Sequence, residues 1–183
     1  MTKDYSHMIS SKFKLQSLAF TVFISVCCLN APTEVSAEEK NNLSDRMAIY
    51  DALTQYSYRW DSKDSVGFAE LFTEDGILER RVNGERILSA TVKGKDAILA
   101  YAKNSHQGRL ADRLSRHHFS GIVFIELNDA TAITENMALI THQTENDSTA
   151  FIVSSGYYLN TWRKTEKGWR ISKRVLKTDR FEN

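Results

Sequence analysis

Residues 116–177 read RHHFSGIVFIELNDATAITENMALITHQTENDSTAFIVSSGYYLNTWRKTEKGWRISKRVLK, and this stretch decides the fold. Four extended segments are separated by turn chemistry. Residues 116–127 lead into Asn128-Asp129, residues 130–144 into a polar loop over 145–148, and residues 149–164 into a turn through Lys167-Gly168. Residues 169–177 close the set. Extended runs joined by short polar connections predict an antiparallel meander. Residues 122–125, and much of 151–162, are apolar at both parities, the pattern of strands covered on both sides. One face would meet helices and the other a partner subunit or another part of the chain.

Upstream of the meander the pattern is helical. Leu43, Met47, Tyr50, Leu53, Ser57 and Trp60 recur near helical spacing and predict a helix over 43–63, with Ser44 capping its first turn. Asp64 is placed to cap a second helix carrying Val66, Phe68, Leu71 and Phe72, ended by Asp75-Gly76. Residues 77–81 and 86–92 flank Asn83-Gly84 as a hairpin, and Asp96 opens a third helix over 96–103. Residues 104–115 read as a polar loop, and Arg109, Arg113 and the adjacent Arg116 as its solvated charges. Helices first and a meander last predict an α+β domain, with about three N-terminal helices packed on one face of a curved antiparallel sheet.

The first 37 residues are a different kind of sequence. Lys3, Lys12 and Lys14 precede an uncharged run from Leu15 to Leu29, and Val35-Ser36-Ala37 supplies small residues before Glu38-Glu39-Lys40. Basic, apolar and small-residue segments in that order are a secretory signal. The 15-residue run is shorter than the roughly 20 residues a membrane-spanning helix requires. The expectation is cleavage near Ala37 and a mature domain over 38–183, secreted or periplasmic, with an uncleaved anchor as the alternative. Both cysteines, Cys27 and Cys28, fall in the leader, so the mature domain would hold no disulfide, no thiolate metal site and no cysteine nucleophile. Its charge is balanced, which argues against nucleic acid or an anionic membrane as partner. The basic residues over 163–180 alternate with apolar ones and read as the solvated side of a strand.

No phosphate-cradling glycine loop, nucleophile elbow or HExxH motif is present. The chemistry therefore rests on His, Asp and Tyr. His117 and His118 are adjacent in an extended segment and point to opposite faces. His142 shares the parity of Asn136, Ala138 and Ile140 in the next strand. Asp61 ends the first helix beside Trp60 and close to Tyr58. On spacing alone, a surface carboxylate and ordinary sheet histidines explain these residues better than a site does.

Several segments in order resemble SnoaL-like proteins of the nuclear-transport-factor-two-like superfamily. They are Tyr58 to Asp64 (YRWDSKD), Leu71 to Gly76 (LFTEDG), Gly94 to Ile98 (GKDAI), Arg116 to Gly121 (RHHFSG) and Gly168 to Ile171 (GWRI). The resemblance spans residues 43–177 and implies a cone-shaped, cystatin-like fold. Within it, the scytalone dehydratase branch is the most similar. Asp61-Ser62-Lys63-Asp64 looks like the segment carrying that enzyme's catalytic aspartate, His118-Phe119 like the one carrying its histidine, and His142-Gln143 like its second histidine. By this resemblance Asp61 and His118 form a catalytic pair, while His142, Tyr58, Trp60, Tyr158 and Asn160 contact substrate. No cofactor or metal is implied. Trp60 stands where the dehydratase has a tyrosine, a second family tyrosine falls near Arg80, and Tyr158 and Asn160 fall where a serine and asparagine are expected. These departures argue against scytalone itself as substrate.

Three functions follow as expectations. The first is a lyase performing β-elimination, or a related isomerase, on a small cyclic carbonyl compound. The second is a non-catalytic pocket for a small hydrophobic or aromatic molecule, lined by Trp60, Tyr58, Phe124 and Tyr158. The third is a metal site built from Asp61, His118 and His142. Strands apolar on both sides, together with the resemblance, also predict a homo-oligomer, dimer or trimer.

Overall fold

A computed structural model describes residues 37–179. The leader expectation falls, apart from Ala37, outside these residues. The chain runs α1 (Ala37–Asp61), α2 (Ser65–Ala69), β1 (Phe72–Val82), β2 (Glu85–Arg86), a 3-10 turn (Leu88–Ala90), β3 (Val92–Lys93), α3 (Lys95–Gln107), β4 (Arg113–Leu127), β5 (Thr131–Thr144), β6 (Phe151–Thr165) and β7 (Gly168–Thr178). This is the expected α+β order. Several boundaries differ from expectation: α3 runs on to Gln107, and the second hairpin arm expected over 86–92 is broken into β2, the 3-10 turn and β3. α1 begins upstream of Ser44, which is therefore interior to the helix rather than its cap. α2 is only five residues, because Phe72 already lies in β1. β4 starts at Arg113 and takes up part of the predicted polar loop. Asp64 does cap α2, its Oδ1 accepting from the Gly67 amide at 2.8 Å.

The sheet order is β2-β1-β7-β6-β5-β4, with β3 also on β1. β4 to β7 form the expected antiparallel meander. β1, however, pairs with β7 in parallel, so the sheet carries one parallel seam. α3 and β4 to β6 lie between these two strands in the chain, which is the kind of long connection parallel neighbours need.

Register shifts interrupt β4, β5/β6, β6/β7 and β1/β7. Such bulges bend a strand and increase its twist, so the sheet curls around the helices. The shifts also divide the inner face lengthwise. At one end Trp162, Ile171, Trp169 and Ala132 are buried against Ile49 and Leu53 of α1, and α2 and α3 add Phe68 and Ile98 to this core. Asp45 of α1 ties down the same end, accepting from Trp169 Nε1 at 2.9 Å and from Lys164 Nζ at 2.8 Å. At the other end the inner face is polar and opens into a cavity.

The outer face of β4 to β6 leaves Val123, Ile125, Met137, Ile152 and Tyr157 exposed. These are the residues behind the doubly apolar reading of the strands. No helix among the described residues is long and apolar enough to cross a membrane.

Candidate active site

α1 crosses the inner face of β4 and ends at Asp61, so the carboxylate is delivered to the strand. The turn that follows is fixed by Lys63 at φ 62° and by an Arg59–Asp64 bond of 2.9 Å. Asp61 accepts three hydrogen bonds from β4. His117 donates its backbone N–H to Oδ2 at 2.8 Å, Ser115 Oγ donates to Oδ1 at 2.8 Å, and His117 Nδ1 lies 2.8 Å from Oδ1. Both side chains are nearly buried, Asp61 at 11% and His117 at 7% exposure. An ionised carboxylate only accepts, so the Nδ1 facing it carries the proton and Nε2 is left as an acceptor. No protein group among the described residues bonds Nε2, and His117 forms part of a cavity wall.

The expected pairing of Asp61 with His118 is thus corrected to His117. His118 points to the outer face, is exposed, and meets Thr141 Oγ1 at 3.1 Å. The cause is a register shift between Ser120 and Val123, at Gly121 with φ 58°. Beyond it Ile122 and Phe124, at even positions, pack on the core. Before it the odd positions Ser115, His117 and Phe119 face inward. Strict alternation carried back from Ile122 and Phe124 would put His118 inside, and the bulge reverses it.

The cavity, of about 420 Å³, lies within the range of small-molecule sites. Trp60, Tyr101, His117, His142, Tyr158 and Arg174 form much of its wall. Of the expected contacts, Trp60, His142 and Tyr158 are therefore in place. His142 pairs across the strands with Ser115 and sits diagonally from His117 on the same face. Burial, and then the cations Arg113 and Arg109, hold its imidazole below the ordinary histidine range. Tyr58 is corrected: it is 71% exposed on the far side of α1. Phe124 is also away from the cavity, packed on the closed-end core beneath the Arg46 guanidinium at 4.4 Å. The metal set falls apart because His118 faces away from Asp61 and His142. Among the described residues no group of three or more His, Cys, Asp or Glu is placed to hold a metal.

Asn160 is fully buried and stands behind the wall rather than in it. Its amide donates to Asn136 Oδ1 at 3.1 Å, and its Oδ1 accepts from Arg174 Nη1 at 2.9 Å. Arg174 is the residue that sequence reading missed. Expected on a solvated strand face, it has 0% exposure. Its guanidinium lies 3.6 Å from the Tyr56 ring centre and 3.8 Å from that of Tyr158. Nε and Nη2 have no hydrogen-bond partner among the described residues. Burial lowers its affinity for the proton, and burial pushes both phenols up, so the two tyrosines stay neutral. Its parity gave no signal, being opposite to that of the core residues Trp169 and Ile171; a register shift between Thr161 and Trp162 lets Arg174 pair with Asn160, and Leu176 with Tyr158, on the inner side of β6.

A SnoaL-like domain model matches residues 41–175. No curated protein matches the chain. Among solved structures, a nuclear-transport-factor-two-like protein with a cystatin-like fold from Novosphingobium aromaticivorans is 26% identical, with TM-score 0.65, covering 82% of this chain and 91% of that one. A protein of the same bacterium provisionally named a scytalone dehydratase is 23% identical, with TM-score 0.63, over 77% of this chain and 88% of its own. The beta subunit of a complex provisionally named an aromatic-ring-hydroxylating dioxygenase, again from that bacterium, is 18% identical, with TM-score 0.66, over 79% and 94%. The last two likenesses concern the fold. With the family match over most of its length, a cystatin-like sheet curled around its helices and a cavity at the open end, the chain belongs to the SnoaL-like family.

Proposed function

We propose that this protein is an exported, cofactor-independent lyase of the dehydratase type, acting on a small cyclic carbonyl compound. The observation that carries the reading is the Asp61–His117 pair in the cavity wall, with Nε2 free of any protein partner among the described residues. A neutral imidazole with its other nitrogen bound to a carboxylate is a base of fixed tautomer. His117 Nε2 takes a proton from the carbon next to the carbonyl, and Asp61 stabilises the imidazolium that results. The enolate then expels a β-hydroxyl, which leaves as water with the proton returned from Nε2. Such acid–base assistance contributes roughly 10²–10⁴-fold in rate. His142, neutral and on the same face, binds the substrate's polar end, and Trp60 and Tyr158 hold its ring.

The test is solvent deuterium exchange, followed by NMR, into a panel of small cyclic ketones and β-hydroxy ketones. His117→Ala should abolish exchange and elimination while His118→Ala retains both. Full activity in folded His117→Ala would overturn the proposal.

Export and assembly are part of it. The mature chain would begin at Glu38, next to the start of α1, and N-terminal mass spectrometry of protein from the cell exterior should find that end. The exposed apolar residues of β4 to β6 fit a second copy docked through the sheet. Light scattering of the mature protein should give a dimer or trimer, and a monomer at working concentrations would remove that part.

A further inference from the structure

The cavity wall holds more positive charge than the Asp61–His117 pair uses. Arg80, Arg109 and Arg174 all border it. The acids near them are already committed. Asp61 is held by Ser115 and His117. Glu79 also borders the cavity, but its carboxylate is paired with Arg81 at 2.6 Å and Lys173 at 3.2 Å. Arg80 has a buried Nε without a partner, and its side chain makes no ion pair or hydrogen bond among the described residues. Arg174, fully buried, has two nitrogens without a hydrogen-bond partner and no ion pair among the described residues, and its guanidinium lies over the rings of Tyr56, Tyr158 and Phe119.

The parallel seam brings these two arginines together. Leu78 pairs with Arg174 and Arg80 with Leu176, so the arginines are diagonal neighbours on one face of β1 and β7. A buried guanidinium without a carboxylate is costly to maintain, and in a poorly solvated wall its field is felt strongly inside the cavity.

Resting on the reading of this cavity as the substrate site, we propose that its ligand is an anion, a small cyclic or aromatic carboxylate whose charged end sits at the β1–β7 seam. Arg80 donates to the carboxylate directly, as guanidinium groups do in two-pronged fashion. Arg174 adds fixed positive charge from behind the rings of Tyr56 and Tyr158. Arg109, exposed at the wall and 3.4 Å from the Tyr101 hydroxyl, extends the positive field. The ring then lies toward Trp60 and His117.

Isothermal titration with 2-naphthoate and with 2-naphthamide tests this, because the two differ in charge and little in shape. The acid should bind at least tenfold more tightly than the amide. Arg80→Met should collapse that ratio to near one, as should Arg174→Met if it folds. His117→Ala should leave the ratio intact. Equal affinities, no binding of the acid, or a ratio unchanged in folded Arg80→Met overturns the inference. The two readings fail separately. Exchange activity surviving in His117→Ala removes the lyase, and the absence of charge discrimination in the unaltered protein removes the anion.

Discussion

Replacing Asp61 with Asn tests the site at its most constrained atom. The carboxylate accepts three hydrogen bonds, two of them from His117. An asparagine has one accepting oxygen and one donating NH₂. If the oxygen stays on Nδ1, the NH₂ faces the His117 backbone N–H, donor against donor. If the amide flips, the NH₂ faces Nδ1, and the ring proton moves to Nε2, which can no longer act as a base. Either arrangement disables the pair. Loss of a positioned base predicts a fall in kcat/KM of about 10²–10⁴-fold, equivalent to roughly 3–5 kcal/mol at 1.36 kcal/mol per decade. The structural cost is smaller, since hydrogen bonds to charged groups contribute about 1.5–3 kcal/mol each. A domain with some 5–15 kcal/mol of stability stays folded after that loss. Deuterium exchange into a cyclic ketone, with circular dichroism for the fold, measures both effects. Exchange within threefold of the parent in a folded Asp61→Asn protein would refute the assigned role of the carboxylate.

Further outcomes follow from other parts of the molecule. His106 and His142 are both held below the ordinary histidine value of about 6.5, by burial first, then by Lys63 and Arg109 for His106 and by Arg113 and Arg109 for His142. The unfolded chain therefore binds more protons below that value, so stability is complete above about pH 6.5 and declines as pH falls through it. Melting temperature measured from pH 8 to 5.5 should show this decline, and His142→Gln should lessen it; an unchanged slope would exclude His142 as a contributor. A Cβ at Gly156 would overlap the Lys177 carbonyl oxygen across the β6–β7 pair. Gly156→Ala should cost more than about 2 kcal/mol and lower the melting temperature by at least about 4 °C, and an unchanged melting curve would show that β7 yields there.

The order of elements and the meander were legible because each strand's apolar pattern and each turn's chemistry are local properties. That Asp61 ends the first helix was legible for the same reason, whereas its place in a site came from the resemblance alone. The identity of its partner was not legible. Choosing between His117 and His118 requires knowing which parity faces inward, and one bulge at Gly121 inverts that over a few residues. Arg174 was hidden for a related reason. A lone cation among Lys173, Lys177 and Arg170 reads as one more solvated charge, and only its pairing with Asn160 places it inside. Tyr58 failed differently: proximity in sequence to Asp61 says nothing of helical face, and three residues back from Asp61 the side chain has turned to solvent.

The lengthwise division of the sheet has a consequence for how such a protein can change over time. The same strands that clamp Trp162 and Ile171 against the helices run on to carry Ser154, Leu176 and His142 at the cavity. The Trp162–Ile171 core stands apart from exposed wall positions such as Arg109, so substitutions there would alter the cavity's lining without touching that core. One protein of this shape can thus be retuned to a new compound by a few exchanges at the rim, while its foundation is inherited intact.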